Sequence, residues 1–159
     1  MKKFTATFTT LILGIGAAFA GPIVDKNPPL VDVCDCYPPG WQLSGFVSGL
    51  FPENGGDDAI GGGASLAYFF TDQVGIEVSY HAYNSTPDTL HFSTVDLVYR
   101  LFTDSTSSCW SIYALAGGGI QSNGQNDGLY RGGLGIERRF ESMNCLGVFL
   151  DGTYNWIND

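Results

Sequence analysis

Few residues in this chain have the type and spacing that catalysis or metal binding needs. The only histidines are His81 and His91, and neither begins a spacing typical of a metal site. A hydrolase would place a histidine beside a serine nucleophile. The serine near His81 is Ser85, which falls in the turn-like stretch NSTPD, whereas His81 lies in an alternating segment. The sequence therefore predicts a structural histidine, with no catalytic residue, no metal and no cofactor.

A second group of polar residues combines carboxylates with guanidinium groups. Its members share one face of alternating segments and are Glu77, Asp96, Arg100, Arg131, Glu137, Arg139 and Asp151. Matched sets of this kind suit a confined interior, because unpaired buried charge is costly and arginine can bind a carboxylate through two parallel hydrogen bonds. The group could line a conducting path or pair and block it. Eight-stranded barrels are usually filled by side chains, which favours a plugged lumen.

These residues must be positioned by extended segments. Alternating apolar and polar residues recur over seven stretches: 41–51, 59–70, 74–83, 89–102, 109–120, 128–140 and 146–156. Each has ten residues or more, whereas strands of soluble proteins usually have about 5–6 and tilted membrane strands about 9–11. Short turn-like sequences separate the stretches. The pattern predicts an all-β, antiparallel up-and-down barrel.

The two faces of the predicted strands differ in an unusual way. One face has large apolar residues such as Val95, Leu97 and Ile136, with Tyr, Trp and Phe near the strand ends. The other has Gly, Ser, Thr and the charged group, and it has no lysine. This favours a transmembrane barrel with its apolar face towards lipid and its polar face inside. A soluble exported β-barrel or sandwich that binds a small apolar ligand stays open as the alternative.

The N-terminus has the features of an export signal. Met1-Lys2-Lys3 is basic, FTATFTTLILGIGAAF is apolar, and Ala18-Phe19-Ala20 offers small residues for cleavage before Gly21. We therefore expect a signal peptide at 1–20, a proline-rich extended lead-in at 21–40 and a barrel domain at 41–159. The formal net charge of −9, with no cluster of basic residues, excludes nucleic acid as a partner.

Three consecutive segments, YALAGGGIQSNG, GLYRGGLGIERRF and LGVFLDGTYNW, carry a family resemblance. Residues 41–159 resemble the small outer-membrane β-barrel proteins of the OmpA/OmpX-like type. The resemblance implies an eight-stranded barrel in the outer membrane of a didermic bacterium. Its expected partners are outer-membrane lipid, lipopolysaccharide and the barrel-assembly machinery. It implies no enzymatic activity, and a role in envelope integrity or in surface contact through the outer loops.

The chain departs from this family at its C-terminus. Proteins of this type usually end in a strand with a terminal aromatic residue, and TYNWIND has no such end. Seven predicted strands also leave one place in an eight-stranded barrel empty. We therefore expect the C-terminal strand to be missing from this chain. A narrow pore and an outer-membrane lipid hydrolase are minor alternatives to the non-enzymatic role.

The four cysteines, Cys34, Cys36, Cys109 and Cys145, allow three pairings. An exported chain reaches a compartment where disulfides form. In the topology that the resemblance implies, Cys36, Cys109 and Cys145 all lie at the periplasmic rim. We therefore expect Cys34 and Cys36 each to bridge to Cys109 or Cys145.

Overall fold

The computed structural model describes residues 7–19, 36–53, 57–84, 89–104, 109–122, 126–140 and 146–158. These residues form eight strands: β1 (Thr7–Phe19), β2 (Gly40–Pro52), β3 (Ala59–Phe69), β4 (Val74–Asn84), β5 (Thr89–Asp104), β6 (Trp110–Ser122), β7 (Asn126–Phe140) and β8 (Leu146–Asn158). Each strand pairs antiparallel with its neighbours in chain order, and β1 pairs with β8, so the sheet closes into a barrel. Within the described ranges no helix is long and apolar enough to cross a bilayer.

The all-β, antiparallel up-and-down architecture is confirmed. All seven predicted segments are strands, β2 to β8, and their bounds agree with the prediction to within a few residues. One end of the barrel has the connections after β2, β4 and β6, which we call the loop end. The other has the connections after β1, β3, β5 and β7, which we call the disulfide end.

The eighth place in the barrel is occupied by a segment that the sequence assigned to the signal peptide. β1 is in register with β2 from Phe8 to Phe19 and with β8 from Thr7 to Ala17. The closing strand in this structure thus comes from the N-terminal side of the meander. The expected C-terminal eighth strand stays a prediction, as does cleavage before Gly21.

The side chains of β2–β8 alternate between the outside and the lumen as predicted. In β5, Val95 and Leu97 are 49% and 57% exposed, whereas Thr94 and Asp96 are 1% and 0% exposed. A β-bulge between Arg100 and Phe102 interrupts the register with β6. Because a bulge adds one residue to one strand, Leu101 and Phe102 both lie on the outside.

β6 has two faces of similar hydrophobicity in the sequence, and the structure distinguishes them. Ser111, Tyr113 and Leu115 are buried in the lumen, and Trp110 and Ile112 lie on the outside. The strand continues as Gly117-Gly118-Gly119, where it packs closely against β5. A Cβ atom at Gly119 would overlap the carbonyl oxygen of Ser93 and lie 2.8 Å from Thr94 Cα. The glycine is therefore needed for the close approach of the two backbones.

Replacing Gly119 by alanine should destabilise the barrel, because the new methyl group meets backbone atoms that cannot move independently. The expected loss in free energy of unfolding is about 1–3 kcal/mol. Gly128→Ala, at a glycine whose added Cβ would meet no atom within 4 Å, is the matched control. Urea unfolding in detergent micelles, followed by tryptophan fluorescence, measures both. Equal losses for the two variants would contradict this reading.

Candidate functional site

The barrel lumen is where the structure brings the predicted charged residues together. All seven are on lumen-facing positions of β4, β5, β7 and β8. Glu77, Asp96 and Arg131 form what we call the inner network. Arg100, Glu137 and Arg139 form the mouth network, near the disulfide end. The remaining member, Asp151, forms no ion pair among the described residues.

The inner network is built around Asp96 and Arg131, on β5 and β7. Arg131 Nη2 lies 2.6 Å from Asp96 Oδ2 and Arg131 Nε donates to Asp96 Oδ1 at 2.8 Å. The carboxylate is fully buried and the guanidinium nearly so. Two parallel charge-assisted hydrogen bonds compensate the loss of hydration of both groups. Glu77 Oε1 is 3.9 Å from Arg131 Nη2, at the edge of this pair.

Neutral polar side chains complete the inner network. Thr94 donates to Asp96 Oδ2 at 2.9 Å and exchanges a 2.7 Å hydrogen bond with Ser79. His81 Nε2 lies 3.2 Å from Arg131 Nη1 and 3.0 Å from Ser79 Oγ. Because a guanidinium can only donate, Nε2 of His81 acts as an acceptor. Ser79 and His81 are thus adjacent, but His81 Nε2 already accepts a hydrogen bond from Arg131, and both side chains are buried. This arrangement fits a structural role for His81.

Asp151 occupies the lumen between the two networks. Its Oδ2 accepts a 2.8 Å hydrogen bond from the hydroxyl of Tyr113 on β6. Its Oδ1 has no hydrogen-bond partner and is buried. Asp151 is therefore a desolvated carboxylate that is only half satisfied, which is unusual among buried charged groups.

The mouth network clamps one carboxylate between two guanidinium groups. Arg139 Nε donates to Glu137 Oε1 at 2.7 Å, and Arg100 Nη2 lies 3.3 Å from Glu137 Oε2. Arg100 also donates to the carbonyl oxygen of Asp72 at 2.9 Å and stacks over the Phe69 ring at 3.6 Å. This contact combines cation–π attraction with the weak hydration of guanidinium.

Tyr37 covers the mouth network from the disulfide end. Its ring lies 4.8 Å from Arg100 Cζ and 4.9 Å from Arg139 Cζ, and its hydroxyl donates to the carbonyl oxygen of Cys109. The Cys36–Cys109 disulfide fixes the neighbouring residue to the start of β6. The expected bridge from Cys36 to one of the two distant cysteines is confirmed, with Cys109 as its partner, whereas Cys34 and Cys145 lie outside the described residues.

Apolar side chains close the lumen at the loop end. They form one cluster of buried residues: Leu50, Ala59, Tyr83, Leu90, Phe92, Leu129 and Ile157. Between the inner and mouth networks lies a cavity of about 50 Å³, lined by Gln42, Phe69, Tyr113 and charged residues of both sets. One water needs roughly 10–15 Å³ on this scale, so the cavity has room for only a few. Among the described residues, the loop-end cluster, the two networks and Tyr37 thus occupy successive levels of the lumen.

Sequence reasoning placed the charged residues but missed several partners. Tyr37 was assigned to an extended lead-in, yet it is 3% exposed. Tyr113 was missed because the two faces of its strand have similar hydrophobicity. The lone aromatic between Cys36 and two prolines was the available signal for Tyr37, since a disulfide at Cys36 holds the next residue against the barrel.

No family model, curated protein or solved structure matches this chain. The resemblance to small outer-membrane barrels therefore rests on the residues quoted above.

Breaking the Asp96–Arg131 pair should cost about 3–5 kcal/mol of stability, because either partner alone would be a buried, unpaired charge. Arg131→Met tests this by urea unfolding. The double variant Asp96→Asn/Arg131→Met should lose less than the sum of the two single variants, since the Asp96 carboxylate is removed together with its guanidinium partner. Arg138→Met is the control, because Arg138 is exposed on the outside of the same strand. Additive losses would show that the two side chains do not interact.

Proposed function

We propose that this protein is a non-enzymatic outer-membrane β-barrel with a plugged lumen, which serves envelope integrity or presents its loops for surface contact. The observation that carries the proposal is the outer surface of the barrel. Large apolar side chains are exposed on all seven strands from β2 to β8. Soluble monomers rarely expose one contiguous apolar surface on this scale.

The distribution of these side chains along the barrel axis supports a bilayer environment. Aliphatic residues such as Val78, Leu97 and Leu134 occupy the middle of the strands. Exposed aromatic residues lie towards both ends: Trp41, Phe70, Phe102 and Trp110 at the disulfide end, and Phe51, Tyr80, Tyr130 and Trp156 at the loop end. Two aromatic girdles around an aliphatic band are typical of membrane barrels.

Backbone pairing is consistent with this environment. Strands of 11–16 residues reach or exceed the roughly 9–11 that a tilted membrane strand needs. In the closed barrel, each strand has a partner on both sides. Closure is the condition under which a sheet can enter hydrocarbon, where an unpaired peptide group costs several kcal/mol.

The outside has one described cation near a girdle. Arg138 Cζ lies 5.2 Å from the centroids of both the Trp110 and Phe140 rings, at the disulfide end. An arginine at this level can keep its stem against apolar neighbours and direct its charge to lipid phosphates. Its position fits the headgroup region of a membrane leaflet.

The contents of the lumen argue against a ligand carrier and a channel. A carrier of small apolar molecules needs an apolar cavity, and a cavity that holds benzene measures about 150 Å³. The cavity here is about 50 Å³ and has arginine and carboxylate side chains in its wall. The same ion pairs, with Tyr37 and the loop-end cluster, place side chains along the lumen of the described part of the barrel, which supports a plugged lumen over a channel.

Substitution of an exposed leucine by arginine separates a membrane barrel from a soluble one. Leu97 lies near the middle of β5 and is 57% exposed. If the surface faces lipid, Leu97→Arg should cost about 2–4 kcal/mol, whereas Ile60→Arg, near a strand end, should cost about 0–1 kcal/mol. In a soluble protein both changes would stay within about 0.5 kcal/mol. Unfolding in lipid vesicles measures the difference, and a harmless Leu97→Arg would overturn the proposal.

A plugged lumen predicts no ion conduction. The purified protein, reconstituted in planar bilayers, should give no discrete current steps, because charged and aromatic side chains fill the path. Carbonate-resistant fractionation with the outer membrane, and faster gel migration when unheated, would establish that the inserted protein is folded. Regular single-channel steps from such a sample would contradict the plugged lumen while leaving membrane insertion intact.

A further inference from the structure

The cavity between the inner and mouth networks is surrounded by charges that do not cancel. The two networks and Asp151 together contain four carboxylates, on Glu77, Asp96, Glu137 and Asp151. They contain three guanidinium groups, on Arg100, Arg131 and Arg139. One negative charge in this part of the lumen therefore has no counterpart.

The uncompensated charge lies on the side of Glu77 and Asp151. Arg131 makes close contacts of 2.6 and 2.8 Å with Asp96, whereas its Nη2 is 3.9 Å from Glu77 Oε1. Both arginines of the mouth network bind Glu137. Asp151 forms no ion pair within the described ranges. Two weakly compensated carboxylates thus line one cavity, and this arrangement is costly unless a further positive charge is bound there.

Asp151 offers an oxygen atom that suits a cation. The residue is 6% exposed, and its Oδ1 has no hydrogen-bond partner among the described residues. The hydroxyl of Tyr113 donates to the other oxygen, Oδ2, at 2.8 Å and keeps lone pairs of its own. Glu77 and Ser44 supply further oxygens in the wall of the same cavity. Hard cations are bound in proteins by oxygen ligands of these kinds.

The charge and the size of the cavity both favour a monovalent ion. A divalent ion would leave a buried excess of positive charge beside Arg100 and Arg139, which line the same cavity. Within the described ranges, no group of three or more His, Cys, Asp and Glu residues is arranged to hold a metal, as a divalent site would require. The volume of about 50 Å³ accommodates an ion the size of a water molecule with one or two waters. It is too small for an organic cation such as choline.

We propose that this cavity binds one sodium or potassium ion, with Asp151 and Glu77 as its carboxylate ligands and the Tyr113 hydroxyl as a neutral ligand. These residues lie on β8, β4 and β6, which are not neighbours in the sheet. The ion thus neutralises the lumen and links three strands across it. The site goes beyond the proposed function, because it is the same whether the outer surface meets lipid or detergent.

Exchange of the salt during unfolding tests the site. The full chain is unfolded by urea in micelles of an uncharged detergent, with sodium, potassium or choline chloride at equal ionic strength. Once the site is occupied, each tenfold rise in free sodium or potassium should raise the folded-to-unfolded ratio about tenfold, because one ion binds the folded state alone. Choline should give no such rise. Equal stability in the three salts would overturn the proposal and leave water or a bound proton in the cavity.

Two matched variants locate the effect. Asp151→Asn keeps the size of the side chain, removes its charge and should abolish the dependence on sodium or potassium. Asp58→Asn, at an exposed aspartate of the loop end, should leave the dependence unchanged. A dependence that persists in Asp151→Asn would place the ion elsewhere and overturn the proposal.

Thallium(I) gives a measurement that needs no variant. This ion replaces potassium in oxygen-lined sites and scatters X-rays anomalously. Crystals of the full chain soaked in thallium(I) acetate should show an anomalous peak in the cavity beside Asp151. Peaks confined to exposed carboxylates such as Asp58, or no peak, would contradict the proposed site.

Discussion

Every strand of this barrel finds backbone partners on both sides, and that closure limits the room left inside. Eight strands enclose an interior just wide enough for side chains to meet across it. Large residues therefore cannot occupy the lumen face at every level. Where β5 and β6 approach most closely, Gly117 and Gly119 replace side chains altogether. The outside has room for large side chains at every level, whereas the lumen combines its apolar clusters with serine, threonine and paired charges.

Confinement also explains why the charged groups of the lumen are arginine–carboxylate pairs. The Asp96 carboxylate is removed from water, so it must be compensated by groups with fixed geometry. Arg131 supplies two parallel donors to it, and Thr94 supplies a third. A lysine would bring a compact, strongly hydrated charge with no fork to match the carboxylate. The same reasoning applies at the mouth, where Glu137 is held by two arginines and the Tyr37 ring packs against both guanidinium groups.

Strand positions and faces could be predicted because apolar and polar residues alternate with a period of two. This alternation shows which face of a strand meets an apolar environment and which meets a polar one. The prediction held for β5, where Leu97 and Asp96 differ sharply, whereas no face could be assigned in β6, where Tyr113 and Ile112 are both apolar enough for either side. Contacts across the lumen, such as Tyr113 with Asp151, depend on barrel diameter and strand stagger, which local alternation does not encode. Tyr37 was missed because proline-rich sequence suggests an extended tether, whereas its position depends on a disulfide to a distant strand.

The sequence did not predict a strand at Thr7–Phe19 for a different physical reason. An apolar run of about a dozen residues satisfies the requirements of an export signal and of a membrane strand equally well, since both are selected for transfer out of water. Lipid-side hydrophobicity therefore cannot distinguish the two. The residues on the lumen side can distinguish them, because a strand of this barrel needs polar side chains there that match those of the neighbouring strands. The unsatisfied oxygens of Ser48 and Asp151 flank a position that holds isoleucine in β1. Thr7–Phe19 thus has the length and the register to close this barrel, and its apolar sequence is equally typical of an export signal.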